Sequence, residues 1–148
     1  MKTIPFEYET DRKFFSDLLC EEAERVEKYL PLFDFRPPNE KRKEFNRVRD
    51  ELLGQLVLLY GHVCLLGFEE LCDLDSGIAV DHLIPLSSNK LNKEIRRREA
   101  EKGRKVVTQS FGSNNIENLI VACCNCNNHK KHRFLDKIHL RAILKLKF

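Results

Sequence analysis

No stretch of the 148-residue chain reaches about 18 consecutive apolar residues, which excludes a helix built to cross a membrane. The opening residues, MKTIPFEYETDRKFF, carry charges where a secretory leader needs an apolar core, so the expectation is a cytoplasmic protein with no membrane partner. Internal repeats and low-complexity tracts are missing as well, which excludes a solenoid and gives no compositional case for long disorder. Acidic residues are scarce in one half only. Residues 1–80 hold 11 Lys and Arg against 17 Asp and Glu, a net of −6, whereas residues 81–148 hold 15 against 6, a net of +9. A polycationic half attracts a polyanion, of which nucleic acid is the commonest in cytosol; the competing reading is a set of solvated helix faces.

What is present suits one domain. With 42% hydrophobic and 33% charged residues the chain can bury a core, but it is too short for two large domains. In a reducing compartment the six cysteines (Cys20, Cys64, Cys72, Cys123, Cys124 and Cys126) read as free thiols or metal thiolates rather than disulfides.

Apolar residues at three- and four-residue steps predict a helix from Asp11 to Leu30, capped by Thr10 or Asp11 and stopped by Pro31. Pro37 and Pro38 delay the next helix, which runs from Glu40, after an Asn39 cap, to Tyr60 and ends at Gly61. The two are expected to pack as an antiparallel pair. A strand near Val63, a loop, and a second strand from Ile78 to Leu83 follow. Helices from Cys124 to Phe134 and from Asp136 to Lys147 close the chain.

Two segments carry the chemistry. VDHLIPLSS places Asp81-His82 at the end of a predicted strand, and IENLIVACCNCNNHKKHR places Asn118-Leu119 before Asn127, nine residues on, at the start of a helix. In this order and spacing the chain resembles the HNH endonucleases (His-Me finger, or ββα-metal, nucleases) over about seventy residues, with residues 1–60 outside the match. The resemblance implies a ββα-metal finger in residues 61–148; with the N-terminal helical pair in residues 1–60 and the C-terminal helix, the expected fold is α+β. The resemblance also implies roles. His82, with an ordinary pKa of about 6.5, is the candidate general base for hydrolysis of a phosphodiester. Asp81 and Asn127 offer hard oxygens to a catalytic Mg²⁺ or Mn²⁺, Asn118 orients the histidine loop, and Lys130, Lys131 and Arg133 hold phosphate. Histidine often stands in the family where this chain has Asn127.

Many HNH proteins hold a structural Zn²⁺ with two Cys-x-x-Cys pairs. Cys123 and Cys126 match the second pair, but the first has Cys64 with Gly67 where its partner thiol belongs. If zinc is bound, the ligands are Cys64, Cys72, Cys123 and Cys126, with His62 a further candidate; otherwise the thiols are small core residues. Cys20 and Cys124 are expected to be ordinary buried thiols. A basic insertion, residues 88–110, carries eight Lys and Arg from Lys90 to Lys105 against three Glu. Arg96, Arg97 and Arg98 are expected to run along DNA phosphates; the alternative is a solvated helix laced by pairs such as Glu94 with Arg98.

The expected function is therefore a metal-dependent HNH endonuclease acting on DNA, in bacterial restriction or phage defence. Two alternatives stay open: a zinc-finger-like module that binds nucleic acid without catalysis, and a nuclease subunit whose acidic N-terminal helices dock a second copy or a partner protein.

Overall fold

The computed structural model describes residues 3–87, 110–131 and 133–148. It is a mixed helix and sheet structure of the α+β kind. Helix α1 (Glu9–Leu19) is followed by a 3₁₀ segment (Val26–Leu32), α2 (Pro38–Tyr60), β1 (Ile78–His82), β2 (Leu119–Cys123), α3 (Cys124–Lys130) and α4 (Lys137–Lys147). Among the described residues no helix is long and apolar enough to cross a membrane.

The two strands pair antiparallel with Ile78 opposite Cys123 and His82 opposite Leu119. Alternation along β2 gives it two different neighbours. Leu119 and Val121, with Val80, face Phe45 and Leu56 of α2, while Ile120 and Ala122 face the larger core. All five residues of β2 are buried for that reason, which removes the polar alternation of a half-solvated strand. The larger core is aromatic. The Phe15 ring lies 5.0 Å from Phe33 and from Phe111, 5.1 Å from Phe14 and 5.7 Å from Phe6, edge-on or tilted except for the stacked Phe6.

Several sequence expectations need correction. The first helix stops at Leu19 instead of Leu30 and starts after Tyr8 without a side-chain cap. Arg141 of α4 donates to the carbonyls of Asp17 (2.7 Å) and Cys20 (2.5 Å), satisfying the helix end from a distant part of the chain. Glu21, Glu22 and Glu24 also oppose extension past the negative pole of the helix dipole. Pro31 lies inside the 3₁₀ segment rather than ending a helix. The second helix begins at Pro38, in the first-turn position where proline is tolerated, and ends at Gly61 (φ 85°) as expected. The two helices do not form the expected hairpin: α1 joins the aromatic core and α2 covers the opposite face of the sheet. No strand forms near Val63; the partner of β1 is Leu119–Cys123, and residues 61–72 run as turns. Helix α3 ends at Lys130, where Lys131 turns left-handed (φ 52°), four residues short of the expected Phe134.

Three backbone segments meet at Gly112. Its N–H donates to Pro85 O, Phe33 bridges to it, and a Cβ there would lie 1.9 Å from Ile84 O. Only glycine fits, and this junction ties the N-terminal connector to the loop after β1.

Candidate active cleft and thiol cluster

His82 ends β1 on the face covered by α2, and its ring meets Phe45 edge-on at 4.7 Å. Its Nε2 lies 2.9 Å from Asn114 Oδ1, and Asn114 Nδ2 donates to Lys41 O at 2.9 Å. A carbonyl only accepts, so the amide nitrogen must face Lys41 and the amide oxygen must face the imidazole. This network assigns a proton to Nε2, so that whenever the ring is neutral its lone pair lies on Nδ1.

Asn118 is fully buried before β2. Its Oδ1 accepts from Ile84 N (2.8 Å), and its Nδ2 donates to Ile84 O (3.0 Å) and Ser113 O (2.8 Å). The side chain thus locks the turn after His82 to the segment carrying Asn114.

Asp81 precedes His82 and points to the opposite face, where α3 packs. It is 5% exposed and Lys130 is 2% exposed, with Lys130 Nζ 3.0 Å from Asp81 Oδ2. The same ammonium donates to Oδ1 at 3.3 Å and to His82 O at 2.9 Å. Burial pushes the Asp81 carboxyl up to about 6, against the opposing pull of Lys130. Oδ2 is ion-paired to the Lys130 ammonium but takes no hydrogen bond among the described residues.

Asp81, His82 and Asn127 border one open cleft of about 390 Å³, together with Arg42 of α2, Pro85 and Lys131. The end of β1 and the middle of α3 therefore bring the three expected residues to a common space. Two of the expected phosphate contacts stand elsewhere. Lys130 is buried on Asp81, because α3 presents it to the strand, and Arg133 caps α3 by donating to the carbonyls of His129 and Lys130. Lys131 faces the cleft. Arg96, Arg97, Arg98 and His132 lie outside the described residues.

The sulfurs of Cys64, Cys72, Cys123 and Cys126 all lie within 4.8 Å of one another. A tetrahedral zinc with Zn–S near 2.3 Å needs S···S edges of about 3.8 Å, so a small contraction would seat the ion. Backbone N–H groups already point at two of the sulfurs. Gly67 N donates to Cys64 Sγ at 3.4 Å, and Asp73 N and Cys126 N donate to Cys123 Sγ at 3.4 and 3.3 Å. Burial raises the Cys123 thiol, but the N–H groups of Cys126 and Asp73 together with hydrogen bonds from the Cys126 and Cys64 thiols draw the pKa below the usual thiol value. Gly67 occupies the place of a second thiol in the first pair with a left-handed backbone (φ 55°), and Cys72 supplies the sulfur from the next turn. These four residues could bind a metal such as zinc. His62 is exposed and outside the cluster, Cys20 is partly buried against the aromatic core, and Cys124 lies partly buried beside Gly77.

Comparison of the chain with family models, curated proteins and solved structures finds no match in any of the three.

Sequence reasoning missed three contributors. Lys41 is fully buried, with Nζ donating to Asp34 O and Gly112 O at 2.5 Å each. Its signal was a lysine four residues before Phe45, on the apolar stripe of α2. Asn114 gave only a turn signal within GSNN. Arg42 stood in a charged run with nothing local to single it out.

Proposed function

We propose that this protein is a metal-dependent HNH-type endonuclease that hydrolyses DNA phosphodiester bonds, with β1, β2 and α3 forming a ββα finger. The observation that carries the reading is the convergence of His82, Asp81 and Asn127 on one open cleft. His82 Nδ1 takes a proton from water as the water oxygen bonds to phosphorus and the ester P–O bond breaks. Asn114 and Phe45 hold the ring in one tautomer and orientation, and Asn118 holds the loop that places them.

The donor set is of the hard kind a divalent ion takes: Asp81 Oδ2 is a buried carboxylate oxygen without a hydrogen bond, and the Asn127 amide borders the same cleft, although the ion would have to displace the Lys130 ammonium 3.0 Å from Oδ2. Asp81 and Asn127 would hold Mg²⁺ or Mn²⁺, which supplies Lewis acidity for charge on phosphorus and the departing oxygen. Arg42 and Lys131 supply positive charge where the phosphate enters. The four thiols would hold structural Zn²⁺ and staple the finger from behind.

The test is incubation of purified protein with supercoiled plasmid and Mg²⁺ or Mn²⁺, beside His82→Ala. Nicked or linear product is expected from the wild-type protein, with a loss of about 100-fold or more in the variant. Cleavage that persists in His82→Ala, or none with either metal, refutes the reading. The ammonium seated on Asp81 favours a second reading, a module that binds nucleic acid without cutting it. Retention of duplex without cleavage under the same conditions would select it.

A further inference from the structure

Residues 88–110 hold the basic strip expected to follow phosphates, but α2 carries another. Arg42, Lys43, Arg47 and Arg49 in its first half are exposed, and none makes a hydrogen bond or ion pair among the described residues. Two of the acids beside them in the helix are occupied, and Asp50 and Glu51 pair with none of the four among the described residues. Arg36, from the preceding connector, takes both Glu40 (3.6 Å) and Glu44 (2.8 Å), so Glu44 does not neutralise Arg47.

Helical geometry divides these cations into two sets. At 100° per residue Arg42, Asn46 and Arg49 fall within about 60° of arc beside the Phe45 stripe, while Lys43 and Arg47 fall on the far side of the helix, away from the sheet. Asp50 and Glu51 fall outside the Arg42 flank as well. Arg42 borders the cleft, so its flank is continuous with the space that His82 and Asp81 share. Arg42 and Arg49 are about 10 Å apart along the axis, or about three steps of a duplex strand at 3.4 Å each. Asn46, between them, offers a neutral donor of the kind that bonds phosphate oxygens.

We propose that the Arg42–Asn46–Arg49 flank of α2 is a phosphate track along which one DNA strand leaves the cleft, held by its backbone and not by its bases. The proposal rests on the nuclease reading for the position of the scissile phosphate in the cleft. It gives the N-terminal segment, which lies outside the HNH resemblance, a direct part in substrate binding.

The test measures binding of a fluorescein-labelled 20-base-pair duplex to the full chain by anisotropy, without added Mg²⁺ or Mn²⁺, from about 50 to 200 mM salt. Two double variants remove equal charge from exposed helix positions, with glutamine chosen as a good helix former. Arg42→Gln/Arg49→Gln is expected to flatten the slope of log K against log salt by about 1.8, at about 0.9 per lost phosphate contact, and Lys43→Gln/Arg47→Gln to leave it unchanged. Equal effects from the two pairs would mean diffuse attraction and overturn the track, as would an unchanged slope in the first pair. Wild-type protein that binds and cleaves while Arg42→Gln/Arg49→Gln keeps its slope rejects the track alone. Wild-type protein that binds no duplex rejects the track together with the DNA reading.

Discussion

Replacing Asn118 by alanine removes three hydrogen bonds from a fully buried position. Alanine leaves Ile84 N–H without its acceptor and deprives Ile84 O and Ser113 O of a donor. A buried unsatisfied group costs about 1–3 kcal/mol; taking the N–H near 2 and each carbonyl, with its second lone pair, near 1 gives about 4 kcal/mol. That is a large share of a domain's total of roughly 5–15 kcal/mol. At about 2–4 °C per kcal/mol for a chain of this size, the Tm should fall by about 8–16 °C, read by circular dichroism at matched zinc and salt. Asn118→Asp sharpens the assignment, because it keeps the acceptor for Ile84 N–H but sets a carboxylate against two carbonyl oxygens. Its folded pKa is then raised above the unfolded value of about 3.9, so the variant is most stable in acid and loses up to about 1.4 kcal/mol per pH unit as the pH rises. A fall of less than about 4 °C in Asn118→Ala, or Asn118→Asp gaining stability toward neutral pH, would refute this account of the loop.

Two further outcomes follow from the same structure. Protein purified without chelator should carry one zinc per chain by elemental analysis, and Cys126→Ser should lower that content sharply and cost much of the finger's folding free energy; full metal occupancy in the variant would exclude the four-thiol site. Burial draws the Lys41 pKa down to about 8 from 10.5, so between those values the folded state holds fewer protons than the unfolded chain and stability rises with pH. A neutral amine still has two N–H groups for the two carbonyls it meets, so deprotonation sacrifices neither bond. Wild type should gain about 2 kcal/mol over Lys41→Met across that window, after discounting for solvent screening, and parallel pH curves in denaturant melts would contradict it.

Much of the fold was legible where the signal is local. Gly61 and the Pro37-Pro38 pair punctuate α2, β1 sits within one residue of its expected span, and the four thiols could be picked because the resemblance expects a pair of cysteines on either side of Asp81-His82. What failed was set by partners far away in sequence. The end of α1 depends on Arg141, more than 120 residues on, which no local pattern around Leu19 encodes. LIVAC gave no period to read as a strand because both of its faces are covered. The apolar run at Val63 has strand composition but bends to bring Cys64 toward the other thiols, so packing at the cluster overrides propensity.

The candidate cleft shows the same division at finer scale. Asp81, His82, Asn118 and Asn127 could be named from residue type and order, whereas the groups that fix their states could not. Lys130 and Lys131 are adjacent and chemically identical, yet one is buried on a carboxylate and the other borders the cleft. The end of α3 separates them: Lys130 is its last residue and faces β1, whereas Lys131 leaves the helix with a left-handed backbone (φ 52°) and borders the cleft. The same holds for Asn114, whose amide could serve any turn until Lys41 O fixes which end meets His82. A charge run read from composition thus overcounts the cations that can meet a phosphate. Here, of Lys130, Lys131 and Arg133, Lys131 is the one that borders the cleft, and Arg42, from a helix outside the resemblance, borders it as well.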